Sequence, residues 1–466
     1  MTATTPNPPP PKRPRNRLEQ LSQSLGSGVH TLPSMRVGGV VTEVTPAYCR
    51  VSGLSQFLKL GETVILGEGD LEQIGEVVRI DEHGATIKQF DFGIAAGLGT
   101  AAWRQGPVTV SPHPSWKGRI LDARGNPIDG EGPLTYGDKA LTTDQDPPQP
   151  MRRRRVSLPI KTGVRVIDLF TPLCAGQRIG IFAGSGIGKS TTLAMLARSK
   201  GFDTAVIALV GERGREVREF IEDALGEQAN PISIVSTGDE SPMMRRLAPK
   251  MAMTIAEYFR DRGENVLLIV DSVTRFAHAA REVALAAGEP PIARGYTPSV
   301  FSDLPKLLER AGPGEEGAGT ITGIFSVLVD GDDHNEPVAD SIRGTLDGHI
   351  VLDRATADQG RYPAVNILTS VSRLANGIWT PEQRSLIMKL RSMIAQYEDT
   401  RDLRLMGGYH RGTDPDLDKA IELVPRILEV MKQSPMDPPS VDAFQEMAQA
   451  LRAGAASAGQ RAEAAQ

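Results

Sequence analysis

The 466-residue sequence predicts an α/β protein with a mostly parallel sheet core, a small N-terminal β-barrel and a C-terminal helical domain. Three observations carry that prediction. In the stretch Gln177–Thr191, QRIGIFAGSGIGKST, a short apolar run enters a glycine-rich turn and then a segment of helical spacing. Aliphatic strand-like runs then alternate with helix-like segments as far as Leu368, the pattern of a parallel sheet covered on both faces. Finally, the pattern changes at both ends, to short alternating runs before Gln105 and to helical periodicity alone after Pro381.

Composition narrows the function classes. Hydrophobic residues make up 40 % and charged residues 23 %, ordinary values for a globular protein able to bury large cores. The net charge of −5 argues against a constitutive nucleic-acid coat, so no nucleic-acid partner is expected. The two cysteines, Cys49 and Cys174, supply neither a disulfide framework nor a cysteine metal site, which points to a reducing compartment. The seven histidines show no ligand spacing. No apolar stretch reaches the ~18 residues a membrane span needs, and the proline-rich, basic N-terminus has no apolar signal core. A cytoplasmic protein is expected.

Taken in order, residues 1–30 comprise a polar, proline-rich tail expected to be disordered, then Leu18, Leu21 and Leu25 on one face of a short helix. Alone such a helix is marginal, so it either docks on its own domain or binds a partner. Residues 31–105 form the barrel, with strands expected at 39–44, 62–66, 75–80 and 85–87. The core spans 106–380. It starts with a strand and turn across Trp116–Asp122 and Gly125–Gly130, then a proline-rich linker ending in Arg152–Arg155, read as a solvated charge run in preference to an anion site. Strands follow at 178–183, 204–210, 232–236, 266–270, 321–329 and 364–368, with helices between them at 191–199, 215–225, 243–262, 274–287 and 300–311. Residues 381–466 read as helices at 383–397, 415–430 and 440–451 and a frayed Ala-rich tail.

The chemistry gathers around the glycine turn. Strand, glycine-rich turn and helix N-terminus in that order form a phosphate cradle, with Ala183, Gly184, Ser185, Gly186, Ile187 and Gly188 as the loop. Lys189 would reach the β- and γ-phosphates of a nucleotide, and the Ser190 hydroxyl, with Thr191 beside it, would ligate Mg²⁺. The strict motif begins with glycine; Ala183 costs little if it still lies in the strand. Asp271 ends a run of five aliphatics at the carboxyl edge of the sheet, where a carboxylate supports the metal. Glu212 follows another strand to the same edge, placed to polarise an attacking water, with Arg213 available to neutralise or orient it. Arg373 is a candidate arginine finger on residue type and position, although an arginine after a strand is usually a surface ion pair. Tyr362 either stacks on a nucleobase or packs against the sheet.

With these residues in view, the chain resembles the hexameric P-loop ATPases related to the catalytic subunit of rotary ATP synthases, and among them the flagellar and type III secretion export ATPases. The resemblance rests on GRILDARGNPIDG (118–130), IKTGVRVIDLFTPLCAGQRIGIFAGSGIGKST (160–191), VGERGREVREFIEDALG (210–226), the long segment 256–312 and ADSIRGTLDGHIVLDR (339–354). It implies a RecA-like core that binds ATP and Mg²⁺. Lys189 and Ser190 would contact phosphate and metal, Glu212 would be the catalytic carboxylate, Asp271 would support the metal, and Tyr362 would meet the adenine. Arg373 would reach a neighbouring subunit's nucleotide. A homohexamer is implied, peripheral to an inner-membrane export apparatus, with a stator-like regulator on the N-terminal helix. Export-gate components, exported proteins and chaperones are its further expected partners. Asn366 departs from the Asp usual in the export group. An injectisome ATPase is the nearest alternative, and an RNA-translocating hexameric helicase the alternative of another class.

Overall fold

The computed structural model describes residues 36–69, 72–225, 230–329 and 336–452; the helix expected around Leu18, Leu21 and Leu25 and the Ala-rich tail lie outside them. Six antiparallel strands close into a barrel in the order β1-β2-β5-β4-β3-β6: β1 Gly38–Val44, β2 Cys49–Ser52, β3 Glu62–Leu66, β4 Gln73–Asp81, β5 Gly84–Gln89 and β6 Ala101–Pro107. Inward residues alternate along the strands and fill the interior with Val41, Val51, Val64, Leu66, Val77 and Ile87. The strands β2 and β6 were not anticipated. The first is four residues long, and the second carries Ala, Gly and Pro, which have low strand propensity. Closure rests on specific contacts instead: Trp103 lies where a side chain at Gly38 would sit, and Arg104 grips Glu62 through two hydrogen bonds of 2.9 and 2.7 Å.

The core is a nine-stranded, mostly parallel sheet. Its strands are β7 Ile120–Asp122, β8 Arg178–Ala183, β9 Thr204–Glu212, β10 Ile232–Thr237, β11 Asn265–Asp271, β12 Thr320–Leu328, β13 Gly348–Leu352 and the short antiparallel β14 Val371–Ser372, ordered β14-β13-β8-β12-β11-β9-β10-β7, with Gly312–Pro313 paired onto β12. Side chains alternate between the two faces. Val266, Leu268 and Val270 join the apolar layer under α3 Pro242–Asp261, α4 Val273–Ala286 and α5 Pro298–Glu309. Leu267 and Ile269 join the opposite layer with α1 Arg165–Phe170, α2 Lys189–Ala197, and the C-terminal helices α6 Pro381–Asp399 and α7 Pro415–Met431. A strand buried on both faces is a continuous aliphatic run for this reason.

Side-chain chemistry sets where the elements begin and end. The Ser241 hydroxyl accepts from the Met244 amide and starts α3, and Thr380 and Gln383 form a capping box on α6. The same Ser241 donates to the Phe90 carbonyl, and Arg246 pairs with Glu76, so α3 carries two of the links between barrel and core.

Two sequence expectations are corrected. Ala364–Leu368 is not a strand: Val365 makes one isolated bridge to Leu352, and the Asn366 side chain accepts from the amides of Leu368 (3.0 Å) and Thr369 (3.1 Å). Pro363 has no amide to donate, and the Asn366 carbonyl oxygen takes amides that a ladder would need. The arginines at 152–155 are not a uniformly solvated run. Arg153 donates to the carbonyls of Pro148, Ala311 and Glu309, and so caps the C-terminus of α5, while Arg154 donates to Ala318 and Gly319.

One buried ion pair dominates the interior on the α3 side. Arg310 and Glu257 are 2 % and 3 % exposed at their side chains and meet through bonds of 3.0 and 2.7 Å, with Thr143 and Thr254 taking the other guanidinium protons at 2.8 Å. Glu257→Ala would strand the buried guanidinium, and chemical denaturation should show the core less stable by about 3–5 kcal/mol. Replacing both partners by apolar residues should recover most of that loss.

Candidate active site

Parallel register delivers the site. Ala183, Leu328 and Leu352 are level at the carboxyl ends of β8, β12 and β13, and Leu209 is level with Asp271 where β9 runs beside β11. Ala183 is the last, fully buried residue of its strand, so the absence of glycine there carries no strain. Gly184 follows buried, Ser185 and Gly186 are exposed, and Ile187 anchors the loop by packing into the core. Gly188 caps α2 at φ 87°, a left-handed conformation suited to glycine, and its carbonyl accepts from both the amide and the hydroxyl of Thr192 at 3.0 Å. Lys189, Ser190 and Thr191 are the first residues of that helix, whose end carries partial positive charge.

Strand β9 runs two residues further than expected and includes Glu212. A bulge lies at Gly211, between the pairs Val210–Ser236 and Glu212–Thr237. Gly211 has φ 69°, and a side chain there would press on Arg275 at 3.1 Å, so both its conformation and its surroundings call for glycine.

The Lys189 ammonium lies 2.5 Å from Asp271 Oδ1 and 3.2 Å from Glu212 Oε1. Ser326, wholly buried on β12, donates to the same Asp271 oxygen at 2.5 Å. Burial opposes the lysine charge, but the attraction of Asp271 and Glu212 outweighs it and lifts the ammonium pKa above its ordinary 10.5. Burial is also the largest influence on Glu212 and raises it above 4.5; Lys189 pulls it down and Asp271 pushes it up.

The other expected site residues are placed as follows. Tyr362 sits on the turn before Pro363, 43 % exposed, with its ring 3.4 Å from where a side chain at Gly188 would begin, so it borders the glycine loop. Arg213 is not brought to Glu212. It is largely exposed and pairs with Glu216 at 3.4 Å, and the arginine beside Glu212 is Arg275, on the first turn of α4. Arg373 follows β14, is exposed, and donates to the Arg343 carbonyl at 3.5 Å; among the described residues no hydrogen bond or ion pair joins it to the lysine–carboxylate cluster. Sequence reasoning missed Ser326, Arg275 and Arg354, which donates to the Ser185 carbonyl at 3.1 Å. Ser326 had a signal, a hydroxyl inside an aliphatic strand. Which arginine turns toward the loop had none.

Among the described residues no group of three or more His, Cys, Asp or Glu side chains is placed to hold a metal by itself. This donor set fits Mg²⁺, which takes one or two protein oxygens and completes its shell with water and substrate phosphates. An anion cradle with a buried lysine and two strand-end carboxylates can bind a nucleoside triphosphate and position a water at its terminal phosphate, and with this fold it defines a P-loop nucleotide hydrolase.

Comparison with known proteins narrows the class. Residues 163–372 match the ATP synthase alpha/beta family, nucleotide-binding domain, and residues 379–452 match the T3SS EscN ATPase C-terminal domain. The chain belongs to this ATPase family. It is 54 % identical over 440 residues to the flagellum-specific ATP synthase of Agrobacterium fabrum, covering 94 % of this chain and 93 % of that one. It is 42 % identical to the type 3 secretion system ATPase of Xanthomonas euvesicatoria, over 89 % of this chain and 93 % of that one. The assembled ATPase EscN of the enteropathogenic E. coli type III secretion system superposes with a TM-score of 0.82 at 36 % identity, over 89 % of this chain and all of EscN.

The raised Glu212 pKa has a signed consequence. Between 4.5 and its higher folded value the native state holds a proton that the unfolded chain has released, so its contribution to stability is full below 4.5 and is lost as pH rises through the folded value. Thermal unfolding across that range should therefore show the gain in midpoint of Glu212→Gln over wild type growing as pH rises. A constant difference would contradict the assignment.

Proposed function

We propose that the chain is a Mg²⁺-dependent ATPase that energises export of flagellar proteins through a type III secretion apparatus. The observation that carries this reading is the meeting of Lys189, Glu212 and Asp271 at the sheet edge beside the glycine loop. The flagellar assignment is favoured over the injectisome because the flagellum-specific relative is 54 % identical and the type 3 secretion relative 42 %.

In the proposed mechanism, the amides of Gly184–Gly188 and the N-terminus of α2 wrap the phosphates, and Lys189 holds the β- and γ-phosphate charge. Ser190 and Asp271 would hold Mg²⁺, which when bound neutralises phosphate charge. Ser326 fixes the Asp271 carboxylate. Glu212 orients the water and accepts its proton; partial burial lifts its basicity toward that task. Tyr362 borders the base. Arg213, turned to Glu216, is withdrawn from the catalytic set, and Arg275 is the arginine that neutralises Glu212.

Arg373 is exposed and outside its own chain's cluster. We assign it to the nucleotide of a neighbouring copy, so that a closed ring of identical subunits completes every site. The similarity to EscN, described as an assembled ATPase and in complex with its central stalk EscO, supports a homohexamer with a stalk partner. The regulator, export-gate and cargo contacts, and a location at the cytoplasmic side of the inner membrane, belong to the same proposal. Among the described residues no helix is long and apolar enough to cross a membrane.

Hydrolysis should rise more than linearly with protein concentration as rings assemble. Arg373→Ala should lose a factor of about 10³–10⁵ in turnover. Mixing it with the equally inactive Lys189→Ala should restore part of the activity, because some interfaces then combine an intact loop with an intact finger; mixtures that stay inactive at ring-forming concentration would exclude a finger acting in trans. Glu212→Gln should bind ATP yet hydrolyse it hundreds of times more slowly, about the 10²–10⁴ contribution of a general base.

A further inference from the structure

The carboxyl ends of β8 and β13 deliver two segments side by side. Ala183 and Leu352 are paired at the ends of these neighbouring parallel strands, and Ser185 and Arg354 each lie two residues further on. Arg354 opens the short helix Arg354–Asp358, whose start is firmly placed. The Asp353 carboxylate caps it, accepting from the Thr356 amide at 3.1 Å and hydroxyl at 2.9 Å, and the Asp353 amide donates to the Ala364 carbonyl at 2.8 Å. From that platform the Arg354 guanidinium donates to the Ser185 carbonyl at 3.1 Å.

This bond falls where the glycine loop is otherwise least constrained. The loop is held at its start, where the Ala183 carbonyl accepts from the Val329 amide at 3.1 Å, and at its end, where the Gly188 carbonyl accepts from Thr192. Ile187 is packed into the core, but Ser185 and Gly186 are exposed, and a side chain at Gly186 would meet nothing within 4 Å. Among the described residues, packing therefore does not fix the peptide between them. That peptide is trans, so its C=O and N–H point in opposite directions. The order β13-β8-β12-β11-β9 puts Arg354 on one flank of the loop and Asp271 and Glu212 on the other. Drawing the carbonyl toward Arg354 turns the Gly186 N–H away from it, toward the flank of the lysine–carboxylate cluster. The reverse orientation would present the carbonyl's partial negative charge to an anion.

We propose that Arg354 is a positioning residue for the phosphates: by holding the Ser185 carbonyl outward it presets the Gly186 N–H as an anion donor, so the cradle is formed before a nucleotide arrives. Its guanidinium touches no phosphate in this scheme. The inference rests on the nucleotide reading of the site.

The test separates orientation from charge. Equilibrium binding of ATP and of inorganic tripolyphosphate is measured with Mg²⁺ on the full chain and on Arg354→Ala and Arg354→Lys, at low and at high salt. Arg354→Ala should bind both ligands about tenfold more weakly, the scale of one hydrogen bond from a charged donor, because the cradle holds the phosphate chain they share. The factor should be the same at both salt concentrations: the orientation of a peptide is not screened, whereas a guanidinium acting on phosphate through its charge loses influence as salt rises. Arg354→Lys, which keeps the charge but not the planar fork, should recover only part of the affinity. A loss confined to ATP, a loss that vanishes at high salt, or unchanged affinity for both ligands would each overturn the proposal. So would a lower unfolding temperature of ligand-free Arg354→Ala, which would make the residue structural. A wild-type chain that bound neither ligand would instead overturn the nucleotide reading itself.

Discussion

A buried ammonium facing two carboxylates is the constraint on which this structure depends. Lys189 is nearly enclosed, and an unpaired charge in that position would be lost to deprotonation. Asp271 and Glu212 keep it charged, and they arrive from two different strands, Glu212 three residues beyond the Leu209 that is level with Asp271. The parallel sheet delivers both carboxylates to the same edge as the lysine. Long aliphatic strands buried on both faces fix the height, and the close hydroxyl of Ser326 fixes the rotation of Asp271.

The same logic explains the irregularities. A regular β9 would place Glu212 in step with its neighbours; the bulge at Gly211 changes the register there and admits the stem of Arg275 against the backbone. Gly238 donates its amide to the Glu212 carbonyl at 2.9 Å, so the loop leading to α3 supports the bulge from the other side. Ser241, three residues on, bonds to Phe90 of the barrel segment. The edge that carries Glu212 and the barrel segment are thus separated by one short loop of the same chain.

Much of this was legible in the sequence, for a physical reason. Strand order is hidden in a sequence, but in a parallel sheet every strand exits at the same edge, so residues after separate aliphatic runs converge whatever the order. Lys189, Glu212 and Asp271 could be grouped on that ground alone. What could not be read depends on local geometry. Arg213 is the neighbour of Glu212 in sequence, yet α4 brings Arg275 there in space. The segment 364–368 has a strand's composition, but Pro363 and the Asn366 side chain remove the amides a ladder needs. The arginine run at 152–155 reads as solvated because most of the carbonyls that Arg153 and Arg154 reach lie about 160 residues away, at the end of α5 and in the loop that follows it.

The two margins of the sheet have a consequence for how copies of the chain meet. One margin is β14, two residues long, and the other is β7, three residues long; the barrel closes on itself. None of these offers a run of unpaired amides and carbonyls on which another molecule could template itself. A second copy therefore finds no long open strand edge to extend at these margins. A protein crowded together with its own copies is in this way shielded from fibrous aggregation.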